Sequence, residues 1–293
     1  MMLKIKRRYL GVACVVLAVI ALVLVGLNAR HSSSNAALPI PPHQKQWKLV
    51  FEDNFDGEHL DTSKWVTCYD WYDKTHDGCS NNGNNEEEWY TPAGVSLGNG
   101  VVTLTAKKEP TKGWDGKQEK DYGYKSGMIS TGRPDWDGAP KWTATYGYYE
   151  ARVKMPEGRG IWPAFWLLPA DKEWPPEIDI MELLGHEPSS VLLTYFWANG
   201  KFPPPKDSST YTNTDQNFTS DWHVFAVDWQ PGKIDWYVDG TVRKTVTSEH
   251  VPNEPMEILL NLAVGGKLPG TTDQNTVFPA QMQIDYVRVY QHH

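Results

Sequence analysis

Ten residues, Tyr146 to Met155, alternate strictly: Tyr148, Glu150, Arg152 and Lys154 fall on one face of an extended chain, and Tyr149, Ala151, Val153 and Met155 on the other. A period of two is the signature of a strand with one face in a core, and a helix cannot satisfy it. The pattern recurs. Val101–Ala106 reads V-V-T-L-T-A, and Gln281–Tyr290 alternates. Val224–Trp229 runs into Gln230-Pro-Gly-Lys233, then Ile234–Val238 ends at Asp239-Gly240, which are hairpin signals. No window carries a helical repeat longer than about three turns. With 40% hydrophobic residues there is ample material for a core. Many short antiparallel strands without a repeat unit imply an all-β sandwich or jelly roll.

The amino-terminal residues differ in kind. Lys4, Lys6, Arg7 and Arg8 precede an apolar run of 19 residues, Tyr9 to Leu27. That length sits nearer a spanning helix, about 20 residues, than a cleaved signal core of roughly 7–15. Residues 1–30 are therefore expected to be a signal peptide or signal anchor, with membrane anchoring through residues 9–27. The body would then be secreted or held at the outer face of the cell membrane. Residues 31–45, rich in Ser and Pro, read as a linker, and residues 46–293 as one domain of 248 residues. Cys68 and Cys79 flank a polar loop, and in an exported protein a disulfide between them is the default. A net charge of -8 without a basic stripe excludes nucleic acid as a partner. Fourteen Trp and fourteen Tyr suit both a core and a wet stacking surface.

One segment breaks hydrophobic economy: Glu177-Ile-Asp179-Ile-Met-Glu182-Leu-Leu. In a strand Glu177 and Asp179 share a face, but strict alternation would turn Glu182 inward. An extra residue at Met181, a β-bulge, returns Glu182 to the acidic face and Leu183 to the core. In a helix residues 177 and 179 would diverge by about 200°. Three carboxylates on one sheet face repel one another and raise at least one pKa. A calcium-binding patch or a solvated edge strand would tolerate that. Glycoside cleavage requires it: an ionised nucleophile beside a protonated acid, about 5–5.5 Å apart for retention. Upstream, Trp162 and Trp166 share a face, and indole stacks on sugar rings.

These residues resemble glycoside hydrolase family 16, the laminarinase and lichenase group, whose signature is E-x-D-x-E or its bulged form E-x-D-x-x-E. Further family-like stretches are Asn84–Tyr90, Ser126–Thr131, Tyr146–Arg152, Trp162–Trp166, Asn261–Gly266 and Asp285–Tyr290, in family order. The resemblance implies a jelly roll of two antiparallel sheets with a concave cleft, cleaving β-glucan internally with retention. It implies Glu177 as nucleophile, Glu182 as acid/base and Asp179 as the auxiliary carboxylate. Asn85, Glu150, Arg152, Trp162 and Trp166 match cleft positions, although Glu150 and Arg152 also fit a structural ion pair. His186, after the acidic strand, is a loop candidate for substrate binding. Several members hold a structural Ca²⁺ through the Asp matching Asp285; an Asp bonding a loop reads equally well. No cofactor is expected for catalysis, and the expected assembly is a monomer acting on a polysaccharide. Phe196 stands where the family commonly has His, and Lys267-Leu268 where many members have Trp. A surface-anchored glycan-binding module, a transglycosylase and a galactan hydrolase remain open alternatives.

Overall fold

Tyr149, Ala151 and Val153 of β9 (Gly147–Lys154) enter the main core, as the alternation of this segment requires. The structure, a computed structural model, describes residues 47–68, 79 and 83–292. The leader (1–30), its anchoring segment (9–27) and the linker (31–45) lie outside the described residues. Among the described residues no helix is long and apolar enough to cross a membrane.

Two antiparallel sheets account for most of the strands. In chain terms the larger, of eight strands among the described residues, runs β16 (Thr241–Thr247), β15 (Lys233–Val238), β14 (His223–Gln230), β9, β18 (Ala280–His292), β4 (Val101–Ala106), β3 (Val95–Gly98). β1 (Trp47–Asp53) pairs with the far end of β18. The smaller, of six, runs β13 (Lys206–Thr212), β12 (Ser190–Phe196), β11 (Glu177–Glu182), β10 (Ile161–Pro169), β17 (Met256–Val264), β8 (Met128–Ser130). Sequence neighbours such as β9 and β10 lie in different sheets, the long-range wiring of a jelly roll. Two short pairs complete the fold: β2 (Glu88–Tyr90) with β7 (Tyr124–Ser126) in parallel, and β5 (Thr111–Trp114) with β6 (Glu119–Tyr122).

The hairpins form where the turn chemistry placed them. Gln230 pairs with Lys233 across Pro231-Gly232, and Val238 with Thr241 across Asp239-Gly240. Asp239 and Gly240 both have positive φ, 50° and 74°, the backbone that a two-residue turn of this hand needs. β18 departs from the expected alternation. Its register shifts between Ile284 and Tyr286, so Met282 and Ile284 face the core, and beyond the shift Val287 and Val289 do so.

The core lies between the sheets. β10 and β17 are buried on both faces, which a one-sided sheet would not require. Phe165 and Leu167 point to the main core, while Ala164, Trp166 and Leu168 join a second cluster with Leu259, Met128, Tyr90 and Cys79. That second cluster is the outer, cleft-bearing side of the six-stranded sheet. Cys68 and Cys79 are disulfide-bonded with Cα atoms 4.8 Å apart, and both pack in this cluster.

Gly127, between β7 and β8, permits the closest backbone approach in this region. A Cβ there would lie 2.2 Å from Gly94 O and 3.1 Å from Leu104 Cα. Neither neighbour is a movable side-chain tip, so overpacking of this kind costs roughly 1–3 kcal/mol. Gly127→Ala is expected to lower the urea midpoint accordingly at unchanged slope; an unaltered midpoint would show that the two segments can separate freely.

Candidate active site

The cleft floor is a grid set by strand register, because residues directly opposite one another in a ladder share a face. Glu177 lies opposite Phe196, which lies opposite Lys206. Asp179 has Thr194 on one side and Trp166 on the other, with Ser208 beyond Thr194. Glu182 lies between Leu192 and Ala164, and Ala164 faces Asn261, then Met128. All of these residues line one cleft of about 280 Å³.

The rows stay aligned because β11 is bulged. Between Asp179 and Glu182 three steps on β11 match two on β12, and Ile180 has no partner on β10. The irregularity spans Ile180–Met181, with Ile180 the unpaired residue on the β10 side. Ile178, Ile180, Met181 and Leu183 all enter the main core, leaving the three carboxylates on the other face.

Burial dominates the electrostatics. It raises Asp179 well above the usual carboxylate range, reinforced by the charges of Glu177 and Glu182. Asp179 therefore holds a proton, which it donates in a hydrogen bond to Glu177. Glu177 is raised by burial and drawn back by two donors, the Trp174 indole at 2.5 Å and the Asp179 carboxyl. Glu182 is pushed up to about 7, chiefly by burial and then by the charge of Glu177. Trp162 Nε1 donates to Glu182 Oε1 at 3.1 Å. One carboxylate ionised beside one protonated near neutrality is the pairing that acid/base chemistry needs.

An indole can only donate, so Trp166 Nε1 fixes the Asn261 amide with its oxygen inward, at 2.7 Å. Asn261 Nδ2 then donates to Tyr90 OH at 2.9 Å. At the rim, Asn84 Nδ2 lies 3.3 Å from Glu86 Oε1, and burial raises Glu86 to about 7. Beneath it Glu88 Oε2 accepts from Val264 N at 2.7 Å. Lys206 holds its ammonium 5.5 Å from the Phe196 ring, and Leu268 and Lys267 close the opposite rim.

Trp162 and Trp166 thus line the cleft with the three carboxylates, and several expected residues do not. Asn85 is exposed with φ 60°, and its neighbours Asn84 and Glu86 line the cleft instead. Glu150 and Arg152 lie on β9, in the other sheet, so their face is turned away from the cleft. His186 also lies off the cleft, with Nε2 3.9 Å from Glu187 Oε1. Asp285 Oδ2 accepts from Arg152 Nη1 at 2.6 Å, and that guanidinium lies 4.9 Å from the Trp222 ring. A cation already held there does not fit a calcium-binding role for this carboxylate. Tyr90, Asn84, Glu86 and Asn261 went unassigned although their stretches carried the resemblance. Lys206 and Ser208 had no local signal, since cross-strand register alone brings them in.

Residues 83–288 match the family model of Glycosyl hydrolases family 16. The chain belongs to family 16. It is 34% identical over 253 residues to an endo-1,3-1,4-beta-glycanase of Rhizobium meliloti, covering 82% of this chain and 51% of that protein. It is 31% identical to a beta-glucanase of Rhodothermus marinus, covering 92% of this chain and 91% of the relative. Among solved structures, the catalytic domain of an endo-1,3-beta-glucanase (laminarinase) from Thermotoga petrophila superimposes with a TM-score of 0.70 at 32% identity, covering 84% of this chain and 98% of that one. The chain spans about half the length of the Rhizobium relative.

Burial pushes Glu150 up to about 8, against the pull of Arg288 and Tyr290. Its folded value thus lies above its unfolded one, so the stability it supports is complete below about pH 4.5. That contribution is lost as pH rises through about 8. Glu150→Gln should therefore raise Tm at pH 9 relative to wild type and not at pH 5. Parallel Tm curves across that range would contradict the burial of this carboxyl.

Proposed function

We propose that the protein is an endo-acting, retaining glycoside hydrolase that cleaves β-glucan with β-1,3 or mixed β-1,3-1,4 linkages. The observation that carries this reading is the alignment of Glu177, Asp179 and Glu182 on one face of a bulged strand, in a cleft walled by Trp162, Trp166 and Phe196. A module that merely binds neutral sugar gains nothing from three crowded carboxylates whose charges oppose one another. The names of the relatives point to the same substrate class.

In this reading Glu177 attacks the anomeric carbon while Glu182 gives its proton to the departing glycosidic oxygen. A glycosyl ester on Glu177 results. Glu182, now ionised, takes a proton from water, the water oxygen bonds the anomeric carbon, and the ester bond to Glu177 breaks. Asp179 keeps the nucleophile ionised and aimed by donating its proton in a hydrogen bond. Loss of charge on Glu177 during the first step lowers the Glu182 pKa when it must act as acid, and favours its later role as base. Export of the catalytic body, cleaved from or tethered by its amino-terminal run, fits a polymeric substrate outside the cell.

Product analysis on laminarin, lichenan, xyloglucan and agarose tests the reading. Wild type should release internal fragments with retained anomeric configuration from a β-glucan, and Glu177→Gln should be folded but without turnover. Release of fragments by Glu177→Gln at the wild-type rate, or wild-type silence on all four polymers, would overturn it. The pH profile of kcat/KM should fall above about 7 as Glu182 loses its proton. Glu182→Gln should remove that limb along with most of the rate on unactivated glucan.

A further inference from the structure

The main chain at the bulge is held from behind. Asp179 O, immediately before the irregularity, accepts from Trp236 Nε1 at 2.9 Å. Trp236 is fully buried on β15, and its cross-strand partner on β16 is Lys244. Partners across a ladder share a face, so both side chains leave the larger sheet toward β11 and β12. The Lys244 ammonium lies 4.6 Å from the centroid of the Trp236 ring. It donates to Leu193 O at 2.8 Å and Asp207 O at 2.9 Å, and lies 3.0 Å from Asp207 Oδ1. Its side chain is 7% exposed. An ammonium has three donors, and here three oxygens surround it, which is how a largely covered charge is tolerated.

The targets are not scattered. Leu193 lies between Thr194 and Leu192, the residues that pair with Asp179 and Glu182 on either side of the bulge. Two donors from one sheet therefore grip the bulged strand β11 itself, its neighbour β12 and, beyond that, β13. A bulge is a place where register can slip, and a slip by one residue would send Glu182 into the core. Neither Trp236 nor Lys244 lines the cleft.

We propose that Trp236 and Lys244 are a pair of positioning residues that pin the β11 bulge and so set the spacing of Glu177, Asp179 and Glu182 without touching substrate. The proposal rests on the glycosidase reading for its kinetic consequence. Trp229 supplies a matched control: it is equally buried in the same core, and its Nε1 donates at 2.9 Å to a main-chain oxygen, Pro252 O, which belongs to no strand of the six-stranded sheet.

Trp236→Phe keeps a ring and deletes the N–H, and Lys244→Met keeps the stem and deletes the charge. Each is expected to lower kcat on the cleaved glucan by about tenfold or more, with KM changed less than about twofold. Trp229→Phe should lower Tm comparably and leave kcat within about twofold. Amides of residues 178–183 should exchange with deuterated water at least about tenfold faster in the first two variants and not in the third. Equal kcat losses in all three, or unchanged exchange at 178–183, would overturn the proposal. Should Trp236→Phe not fold, Lys244→Met decides by the same two measurements. Wild-type silence on every glucan would defeat the glycosidase reading instead, and the exchange comparison would still decide the positioning role.

Discussion

A strand that faces a core on one side must alternate, and β11 satisfies that rule while also presenting carboxylates at positions 177, 179 and 182. The spacing is incompatible with regular alternation, and the unpaired step at Ile180–Met181 reconciles the two. Everything else at the site follows from that step. Neighbouring strands are placed by their pairing with β11, so Phe196, Thr194 and Trp166 stand beside the carboxylates in fixed rows. The core gains two consecutive apolar side chains at the irregularity, Ile180 and Met181, both fully buried. Burial of that size offsets the loss of regular ladder pairing at the same residues.

The electrostatics depend on the same packing. With Trp162, Trp166 and Trp174 around them, the carboxylates are poorly solvated, and each charge acts strongly on its neighbours. Desolvation alone would raise all three groups. The Trp174 indole and the Asp179 carboxyl both stabilise charge on Glu177, and this separates it from Glu182. The division of labour between chemically similar side chains is thus a matter of which one receives donors.

Much of this was legible in the sequence, for a physical reason. Alternation, hairpin turns and the acidic break in pattern are local properties, so the all-β class, the turns at Pro231-Gly232 and Asp239-Gly240, and the bulged acidic strand could be read without partners. Pairing is not local. Glu150 and Arg152 alternate as well as any strand residues, yet which sheet β9 joins depends on β14 and β18, far along the chain. Asn85 failed for a smaller reason: its left-handed backbone turns it out of the cleft, and Asn84 takes its place. The interruption of β18 at Asp285 similarly escaped the pattern, because polar and apolar residues remain interleaved across it.

The chain of hydrogen bonds from Trp166 through Asn261 to Tyr90 has a consequence for how such a cleft can diverge. Its donor and acceptor directions along the floor are already engaged within the protein. Around Trp166, Asn261 and Tyr90 the floor therefore offers an arriving ligand mainly flat faces. Recognition of individual hydroxyl groups falls to the margins, where Asn84, Glu86, Lys206 and Lys267 stand on other segments than the acidic strand. Substitution at those margins can retune which ligand is accepted while the acidic strand, and the sheet that carries it, stay as they are.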